Sequence, residues 1–397
     1  MIFNTWLYGI FLLATFCVYW LAPERARPWL LIVFGCYFYW HYYPPHLVLI
    51  LGMTVAVWLL AFVVQPSAGR QRRLFFALGV GGCVGTLAYY KYSGFLMSSL
   101  ALVFPLARGT SSGVQIVAPL AISFFTFEFV HYLIEVYRGT FTPSGFRDFV
   151  LFIMFFPSLV CGPIKRFQQF KPQEYAQQRL DPANVHDGLE RILFGLSKKT
   201  IIADTVAVYC APVFANPQAY TWTQLWLGVY GYAMQIYFDF SGYSDIAIGS
   251  ARLLGYRVPE NFNYPYLQPN IAAFWRSWHM SLTSWITDYL YIPLGGNRLG
   301  EARAHLNRFL AMTICGLWHG AAFHFAVWGM YHGVGLNLLR GYQRLRGLRD
   351  GGNPTAAAPV MRALSTLFTF HFVCIGWVLF VCDLPTAWGI IRRLVGL

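Results

Sequence analysis

The amino-acid sequence predicts an all-α, polytopic integral membrane protein with about ten to thirteen transmembrane or re-entrant helices, at roughly 20 residues per crossing. Of its 397 residues, 57% are hydrophobic and only 11% are charged, whereas a typical globular domain has about 25% charged residues. The mean hydropathy is +0.48, and long apolar runs continue along the whole chain. A transmembrane β-barrel would instead show short segments of alternating polarity.

Apolar segments bounded by turn residues mark the predicted crossings in chain order. The first is interpreted as a crossing and not as a cleaved signal peptide, because residues 1–20 lack a basic start and a small-residue cleavage site. Several others are interrupted by Gly or Pro, which is typical of broken or re-entrant helices. The segments are residues 4–22, 29–43, 46–64, 74–92, 94–107, 115–137, 148–161, 192–214, 222–238, 240–255, 309–327, 328–342 and 363–382, with a short apolar stretch from Trp388.

Three further segments are too polar to cross a bilayer. Residues 165–199 are rich in Lys and Arg and predict a cytoplasmic loop with an interfacial helix, and residues 340–354 predict a basic, Gly-rich loop. Residues 259–308 mix Trp and Tyr with charged residues, which favours amphipathic helices at the interface. Basic loops at 24–27 and 70–73 are separated by two predicted crossings, so both are predicted to face the cytoplasm and the N-terminus to face outward.

The net charge of +13 has its simplest explanation in these loops, since cytoplasmic Lys and Arg contact anionic lipid. The lipid bilayer is therefore the predicted partner, and nucleic-acid binding is not predicted. The eight cysteines include no CxxC pair, so they are interpreted as buried apolar residues. No Cys/His or HExxH spacing predicts a metal site.

Polar residues inside apolar segments are the candidate functional residues, because they are costly in hydrocarbon. His319 follows Trp318 in an apolar segment, between Gly316 and Gly320, whose four-residue spacing favours close helix packing. In a second segment Arg276 and His279 are three residues apart and would project together from one helix. In a third, Asp239 and Asp245 flank Gly242, as a helix break lining a polar cavity would.

A histidine buried in a membrane is expected to be neutral at pH 7, because desolvation lowers its pKa. Such an imidazole can accept a proton from an attacking hydroxyl and return it to a leaving thiolate. The structural alternatives are that His319 is a hydrogen-bonded residue of an apolar helix, that His279 lies at the interface, and that Asp239 and Asp245 cap helices or pair with arginines.

Several sequence blocks, in this order, resemble the membrane-bound O-acyltransferase (MBOAT) family, particularly its bacterial branch for alginate O-acetylation. The resemblance extends over residues 119–382. Glu128 is a departure, because close relatives often have Gln there. The WHMSL sequence is similar to the D-alanyl transfer branch, which modifies teichoic acid. The blocks are residues 122–127, 136–139, 156–164, 235–245, 274–282, 288–298 and 317–320.

The resemblance implies a single membrane-embedded domain over residues 1–397, with helices around a central tunnel in a bacterial inner membrane. It implies that His319 and His279 are catalytic, without a tightly bound cofactor. It also implies an acyl thioester donor, acetyl-CoA or an acyl carrier protein, a polysaccharide acceptor and an extracytoplasmic SGNH-type partner. The residues predicted to bind substrate or line the tunnel are Arg276, Trp275, Trp278, Trp318, Asp239, Asp245, Asp288 and Asn297.

Two alternatives to polysaccharide O-acetylation remain at this point. One is a carrier-protein-dependent D-alanyl transferase of the teichoic acid type. The other is a non-enzymatic transporter or scaffold that uses the same cavity for passage.

Overall fold

A computed structural model describes residues 3–103, 117–175, 179–347 and 359–396. These residues form helices, turns and loops with no strand among them, which confirms the all-α class. The helices are α1 (Trp6–Leu21), α2 (Arg27–Trp40), α3 (Pro44–Val64), α4 (Gly69–Val103), α5 (Ile122–Arg138), α6 (Phe146–Met154), α7 (Phe167–Tyr175), α8 (Pro182–Leu196), α9 (Asp204–Ala215), α10 (Trp222–Leu253), α11 (Ile271–Trp275), α12 (Met280–Ile286), α13 (Glu301–His319), α14 (Phe323–Leu345), α15 (Pro359–Val381) and α16 (Leu384–Leu394).

Three helical segments within the described part of the chain are both long and apolar enough to cross a membrane. They are Pro44–Val64, Gly69–Ser99 and Pro359–Val381, and Trp6–Leu21 is a shorter apolar helix. The other helices are shorter or less apolar, so by length and composition alone the described residues give fewer crossings than the ten to thirteen predicted.

Two predicted helix breaks are absent. The predicted crossings 74–92 and 94–107 belong to one helix, α4, as far as Val103, and the predicted crossings 222–238 and 240–255 are one helix, α10. A glycine inside a helix costs only about 1 kcal/mol relative to alanine, so Gly94 and Gly242 do not end these helices. Residues 104–107 and 115–116 of the predicted crossings, and 348–354 of the predicted basic loop, lie outside the described residues.

Residue contacts divide the chain into two compact units. The first comprises Met1–Leu196 with Tyr243–Pro259, and the second comprises Ser197–Gly242 with Glu260–Leu397. In the first unit, aromatic rings pack between α5 and α6, where the Tyr132 and Phe149 ring centroids are 4.2 Å apart. His131 accepts a hydrogen bond at Nε2 from the Phe167 backbone N–H, 3.0 Å away, at the start of α7.

The second unit is built around tryptophan rings. Trp328 and Trp377 are almost fully buried, and their stacked rings have centroids 6.0 Å apart. Trp278 contacts Trp377 at 4.8 Å and stacks on Phe274 at 5.6 Å. This aromatic core packs the short helix α11 together with the long helices α14 and α15, and it forms one wall of the site described next.

Candidate active site

A helical hairpin in the second unit places His319. Helix α13 ends at His319, Gly320 has extended backbone, and α14 begins at Phe323. A Cβ atom added to Gly316 would overlap the carbonyl oxygen of Phe325, and one added to Gly329 would overlap that of Met312. The two backbones therefore approach as closely as glycine allows, which confirms the prediction that Gly316 permits close approach of another helix.

Three aromatic rings surround the half-buried imidazole of His319. The ring centroids of Trp328 and Phe380 lie 5.2 Å and 5.3 Å from it, with interplanar angles of 89° and 78°. The Trp318 ring is 4.8 Å away at 73°. Edge-to-face contacts of this kind favour one orientation of a ring through its quadrupole. These three ring contacts therefore constrain the orientation of the His319 imidazole.

His279 lies between two short helices and is only 1% exposed. Its backbone is left-handed, with φ +42°, a conformation that costs about 1–3 kcal/mol for a residue other than glycine. Hydrogen bonds across the turn hold it there: the Met280 N–H donates to the Asn261 carbonyl at 2.9 Å, and the Asn263 N–H donates to the Ser277 carbonyl at 3.0 Å. Strain of this kind, held by its surroundings, is typical of functional positions.

The Asn261 side chain determines which nitrogen of His279 carries the proton. Asn261 Oδ1 lies 2.7 Å from Ser281 Oγ, 3.4 Å from the Ser281 backbone N–H and 3.1 Å from His279 Nδ1. A backbone N–H can only donate, so the side-chain atom at this position is an acceptor oxygen. His279 Nδ1 must then donate to it, and in the neutral imidazole Nε2 is left with an available lone pair.

Both histidines contact the Trp318 ring. The His279 centroid is 6.4 Å from it, compared with 4.8 Å for His319, and the Phe240 ring meets His279 edge-on at 4.7 Å. His279 lies outside the membrane-crossing segments, and burial lowers its pKa well below the ordinary value of 6.5, with His319 acting in the same direction through its charge. The structure therefore brings together the two histidines that the sequence singled out.

A cavity of about 230 Å³ lies beside α13. Its wall includes Arg308, Met312 and Cys315, which share one face of α13, together with Trp275 of α11. His319 is the next residue on that face, four positions after Cys315, because residues four apart are neighbours along a helix. Arg308 lies about three helical turns before His319, and its guanidinium donates a 2.8 Å hydrogen bond to the Asn337 side chain. The wall of the cavity is mostly apolar, and it includes one cation, Arg308.

The predicted helix that would carry both Arg276 and His279 is wrong. Helix α11 ends at Trp275, Arg276 is its exposed C-cap, and His279 precedes a separate helix. The two side chains therefore differ in exposure and do not project from one helix. The buried turn that separates them is held by residues 261–263, and the three-residue spacing gave no sign of it.

The other predicted residues occupy different places. Trp275 lines the cavity, whereas Trp278 belongs to the aromatic core. Asp239 pairs with Lys199, with Oδ1 2.6 Å from Nζ. Asp288 lies in the π-helical turn Thr287–Tyr291 after α12, and Asn297 is exposed in the turn that follows.

Asp245 belongs to the first unit. Its Oδ1 accepts a 2.6 Å hydrogen bond from Arg191 Nε. Asp239 and Asp245 are thus both partners of basic side chains, as the structural alternative held. The predicted helix break between them is absent, since α10 continues through Gly242.

Neither Asn261 nor His332 is among the functional residues that the sequence predicted. Both ring nitrogens of His332, and Nε1 of Trp275 and of Trp328, are buried with no hydrogen-bond partner among the described residues. The Trp275 and Trp328 rings lie 5.1 Å and 5.0 Å from the His332 ring. Buried polar groups usually have partners, so this cluster is a candidate for binding a polar atom of a substrate.

Comparison with known proteins gives concordant matches. The sequence model of the membrane-bound O-acyltransferase family matches residues 86–381. The chain is 39% identical over 387 residues to a probable alginate O-acetylase of Pseudomonas aeruginosa, covering 94% of this chain and 70% of that protein.

Two other relatives carry different names. A peptidoglycan O-acetyltransferase of Helicobacter pylori is 32% identical, over 94% of this chain and 75% of its own. A teichoic acid D-alanyltransferase of Bacillus subtilis is 31% identical, over 67% of this chain and 69% of its own.

Proposed function

Because the chain belongs to the membrane-bound O-acyltransferase family, and is therefore a membrane acyltransferase, we propose that it acetylates hydroxyl groups of a cell-surface polysaccharide. The relatives named for alginate and peptidoglycan O-acetylation cover 94% of the chain each, which favours a polysaccharide acceptor. The donor in this proposal is acetyl-CoA, supplied from the cytoplasmic side of a bacterial inner membrane. The observation that carries the proposal is that His319 and His279 contact the same Trp318 ring, at the end of a helix that also lines a mostly apolar cavity.

In the proposed mechanism, His319 is the general base. It takes the proton of the acceptor hydroxyl as that oxygen attacks the thioester carbonyl carbon and forms a C–O bond. The C–S bond then breaks, the electron pair leaves with sulfur, and the proton passes from His319 to the thiolate. A positioned base of this kind contributes about 10²–10⁴-fold in rate.

His279 has a different role in the proposal, because its hydrogen bond to Asn261 fixes which ring nitrogen carries the proton. With Nδ1–H bound to Asn261, Nε2 is an acceptor and cannot donate to a developing oxyanion while the ring is neutral. We therefore assign Nε2 to accepting a hydrogen bond from the acceptor hydroxyl or from an N–H of the donor. Arg276 is exposed and takes no part in this step.

The cavity along α13 suits the donor arm. Its apolar wall matches an acyl chain or a pantetheine arm, and Arg308 in that wall matches a phosphate by charge. The D-alanyl alternative places a carrier-protein thioester in the same cavity, and the D-alanyltransferase relative favours it over 67% of the chain. An extracytoplasmic SGNH-type partner would complete delivery to the polysaccharide.

The test is transfer by the purified full-length protein in lipid vesicles, with labelled acetyl-CoA and an alginate or peptidoglycan fragment as acceptor. The wild-type protein is expected to label the acceptor, and His319→Ala to lose about 10²–10⁴-fold in rate while melting at the wild-type temperature. His186→Ala, at a largely exposed side chain, is the matched control and should keep full activity. Normal transfer by a folded His319→Ala protein would refute the role of His319.

A parallel reaction with a D-alanyl carrier protein as donor separates the two acyl classes. Labelling from the carrier protein alone would favour the D-alanyl function. Labelling from neither donor, with any of the acceptors, would contradict both.

A further inference from the structure

Three buried side chains in the second unit carry polar nitrogens that have no hydrogen-bond partner among the described residues. They are His332, with both ring nitrogens, and Trp275 and Trp328, each with Nε1. His332 is fully buried, Trp328 is 1% exposed and Trp275 is 5% exposed. Buried polar groups in folded proteins are almost always hydrogen-bonded, so these side chains are an exception that requires an explanation.

Neighbouring polar groups in the same unit do have partners. Trp377 Nε1 donates to the Tyr266 hydroxyl at 3.0 Å, and that hydroxyl donates to the Ala233 carbonyl at 2.7 Å. Tyr331, one position before the unpartnered histidine, donates its hydroxyl to the Phe372 carbonyl at 2.9 Å. The fold therefore satisfies the N–H and O–H groups nearby, which sets the three side chains apart.

The rings of these three side chains contact one another. The His332 centroid lies 5.1 Å from that of Trp275 and 5.0 Å from that of Trp328, and the two indoles are 5.7 Å apart. The Phe274 ring stacks on the imidazole with an interplanar angle of 9°. Gly376 leaves room for its edge, because a Cβ atom there would lie 2.8 Å from Nε2. The unpartnered nitrogens are thus gathered in one place, in what we call the His332 cluster.

The His332 cluster adjoins both the cavity beside α13 and the proposed base. Trp275 lines that cavity, as does Leu336, which follows His332 by one turn on the same face of α14. Trp328 contacts His332 and also His319, whose ring centroid is 5.2 Å away. A thioester bound in this cavity with its carbonyl at His319 would have the first groups beyond sulfur next to the cluster.

The hydrogen-bonding capacity of the cluster defines the ligand that it suits. A neutral imidazole has one N–H and one lone pair, and each indole has one N–H only. The cluster thus supplies three donors and one acceptor. A secondary amide complements this set, because its carbonyl oxygen accepts two hydrogen bonds and its N–H donates one. A phosphate or carboxylate is disfavoured, since a neutral imidazole and two indoles offer no cation and a buried unpaired ion is costly.

We propose that the His332 cluster binds the amide nearest to sulfur in the pantetheine arm of the acyl donor. Two methylene groups separate sulfur from this amide, so the amide follows the thioester into the site. Since all the nitrogens of the cluster are buried, the Trp275 ring in the cavity wall must turn to admit it. The assignment rests on the function proposed above, and it holds for either donor class, because CoA and acyl carrier proteins carry the same arm.

The experiment compares two small acetyl donors, with the purified full-length protein in lipid vesicles. S-acetyl-N-acetylcysteamine contains the amide, and the acetyl thioester of an alkanethiol of equal length has methylene groups in its place. The wild-type protein should prefer the amide donor in kcat/KM. His332→Phe should reduce this preference roughly tenfold, the contribution of one or two neutral hydrogen bonds. Trp275→Phe removes a single N–H and keeps an aromatic ring, so it should reduce the preference less.

The melting temperature of His332→Phe gives a second readout. Phenylalanine has a similar shape without polar atoms, and exchanging unpartnered polar groups for apolar ones is neutral or stabilising. This variant should therefore melt at or above the wild-type temperature while its amide preference falls. A histidine with a purely structural role would show the opposite, a lower melting temperature and an unchanged preference.

His371→Phe is the matched control, with the same substitution in the same unit. Both nitrogens of His371 have partners, since Nδ1 lies 2.7 Å from the Leu367 carbonyl and Nε2 lies 2.7 Å from the Tyr230 hydroxyl. This control should lose stability and keep the wild-type preference for the amide donor. An unchanged preference in both cluster variants, or an equal fall in His371→Phe, would overturn the proposal.

Binding of labelled pantetheine in a neutral detergent separates the amide site from the proposed function. His319→Ala should bind pantetheine as the wild type does, whereas His332→Phe should bind it roughly tenfold more weakly. Pantetheine binding that depends on His332, without any acetyl transfer, would contradict the proposed function and leave the site standing. A changed KM for the polysaccharide, with an unchanged donor preference, would assign the cluster to the acceptor instead. Absence of pantetheine binding by the wild type would also refute the site.

Discussion

His279 and His319 lie in the same unit and contact the same tryptophan ring, yet the contacts that orient the two rings differ. His279 is enclosed by hydrogen bonds, with Asn261 fixing its protonated nitrogen. His319 is enclosed by aromatic rings at the end of a helix. Hydrogen bonds specify a protonation state, whereas ring packing specifies only an orientation. Removing each set of contacts separately therefore tests whether catalysis needs the tautomer of His279, the orientation of His319, or both.

The largest effect is expected from removing an aromatic ring that packs against His319. Trp328 is 1% exposed and contacts His319 edge-to-face, so Trp328→Ala should cost about 3–5 kcal/mol of folding free energy and release the imidazole. Thermal melting of the purified protein measures this loss of stability. The same substitution at Trp388, which is 64% exposed, should have little effect. A stable Trp328→Ala protein with full activity would show that ring packing does not position His319.

The hydrogen bond to His279 is tested by Asn261→Ala, which removes the acceptor for His279 Nδ1–H. The ring can then adopt the other neutral tautomer, with the proton on Nε2. A buried donor left without its partner costs about 1–3 kcal/mol, so the acyl-transfer rate should fall by roughly 10–100-fold. Ser281→Ala removes another donor to the same oxygen but leaves the imidazole contact, so its acyl-transfer rate should be close to that of the wild type.

Asn261→Asp provides the diagnostic readout for a positioning role. Its carboxylate keeps an acceptor oxygen and favours the protonated imidazole, which raises the pKa of His279. The acid limb of the pH–rate profile should therefore move to higher pH. An unmoved profile would indicate that Asn261 has a structural role alone.

The hairpin that carries His319 is tested by Gly316→Ala. The new methyl group would meet backbone atoms of Phe325 and Gly329, and overpacking of this kind costs about 1–3 kcal/mol. Gly341→Ala lies on α14 in open space and should be neutral or slightly stabilising, since alanine is the better helix former. Equal melting temperatures for the two variants would contradict the close approach of α13 and α14.

The smallest expected effect is on the pH dependence of stability. The pKa of His279 is lowered in the folded protein, so its neutral form stabilises the fold above the ordinary value of 6.5. As pH falls below 6.5 the unfolded chain takes up a proton that the folded protein resists, and stability is lost. The melting temperature should therefore fall from pH 7 to pH 5, and less steeply in His279→Gln. Identical slopes would show that His279 is not held neutral.

Short-range patterns explain which parts of the site the sequence could reveal. The glycines around His319 and the apolar residues of α13 recur at helical spacing, so a histidine in a closely packed apolar helix was predictable, whereas the turn at residues 320–322, inside the predicted crossing 309–327, was not. Asn261 is 18 residues from His279, in a loop without periodicity, and only folding brings their side chains together. The same limit produced the error at Arg276, because the helix proposed for residues 276–279 is interrupted by a turn that distant backbone hydrogen bonds hold.

Composition and apolar periodicity by themselves determined the all-helical membrane class, and motif order determined the family, because both are properties of neighbouring residues. The tertiary structure decided the tautomer of His279, the aromatic surroundings of His319, the ion pairs of Asp239 and Asp245, and the His332 cluster. Each of these depends on groups that are far apart in the chain. Their hydrogen-bonding and ion-pairing partners are set only when packing brings the groups together and excludes water from between them.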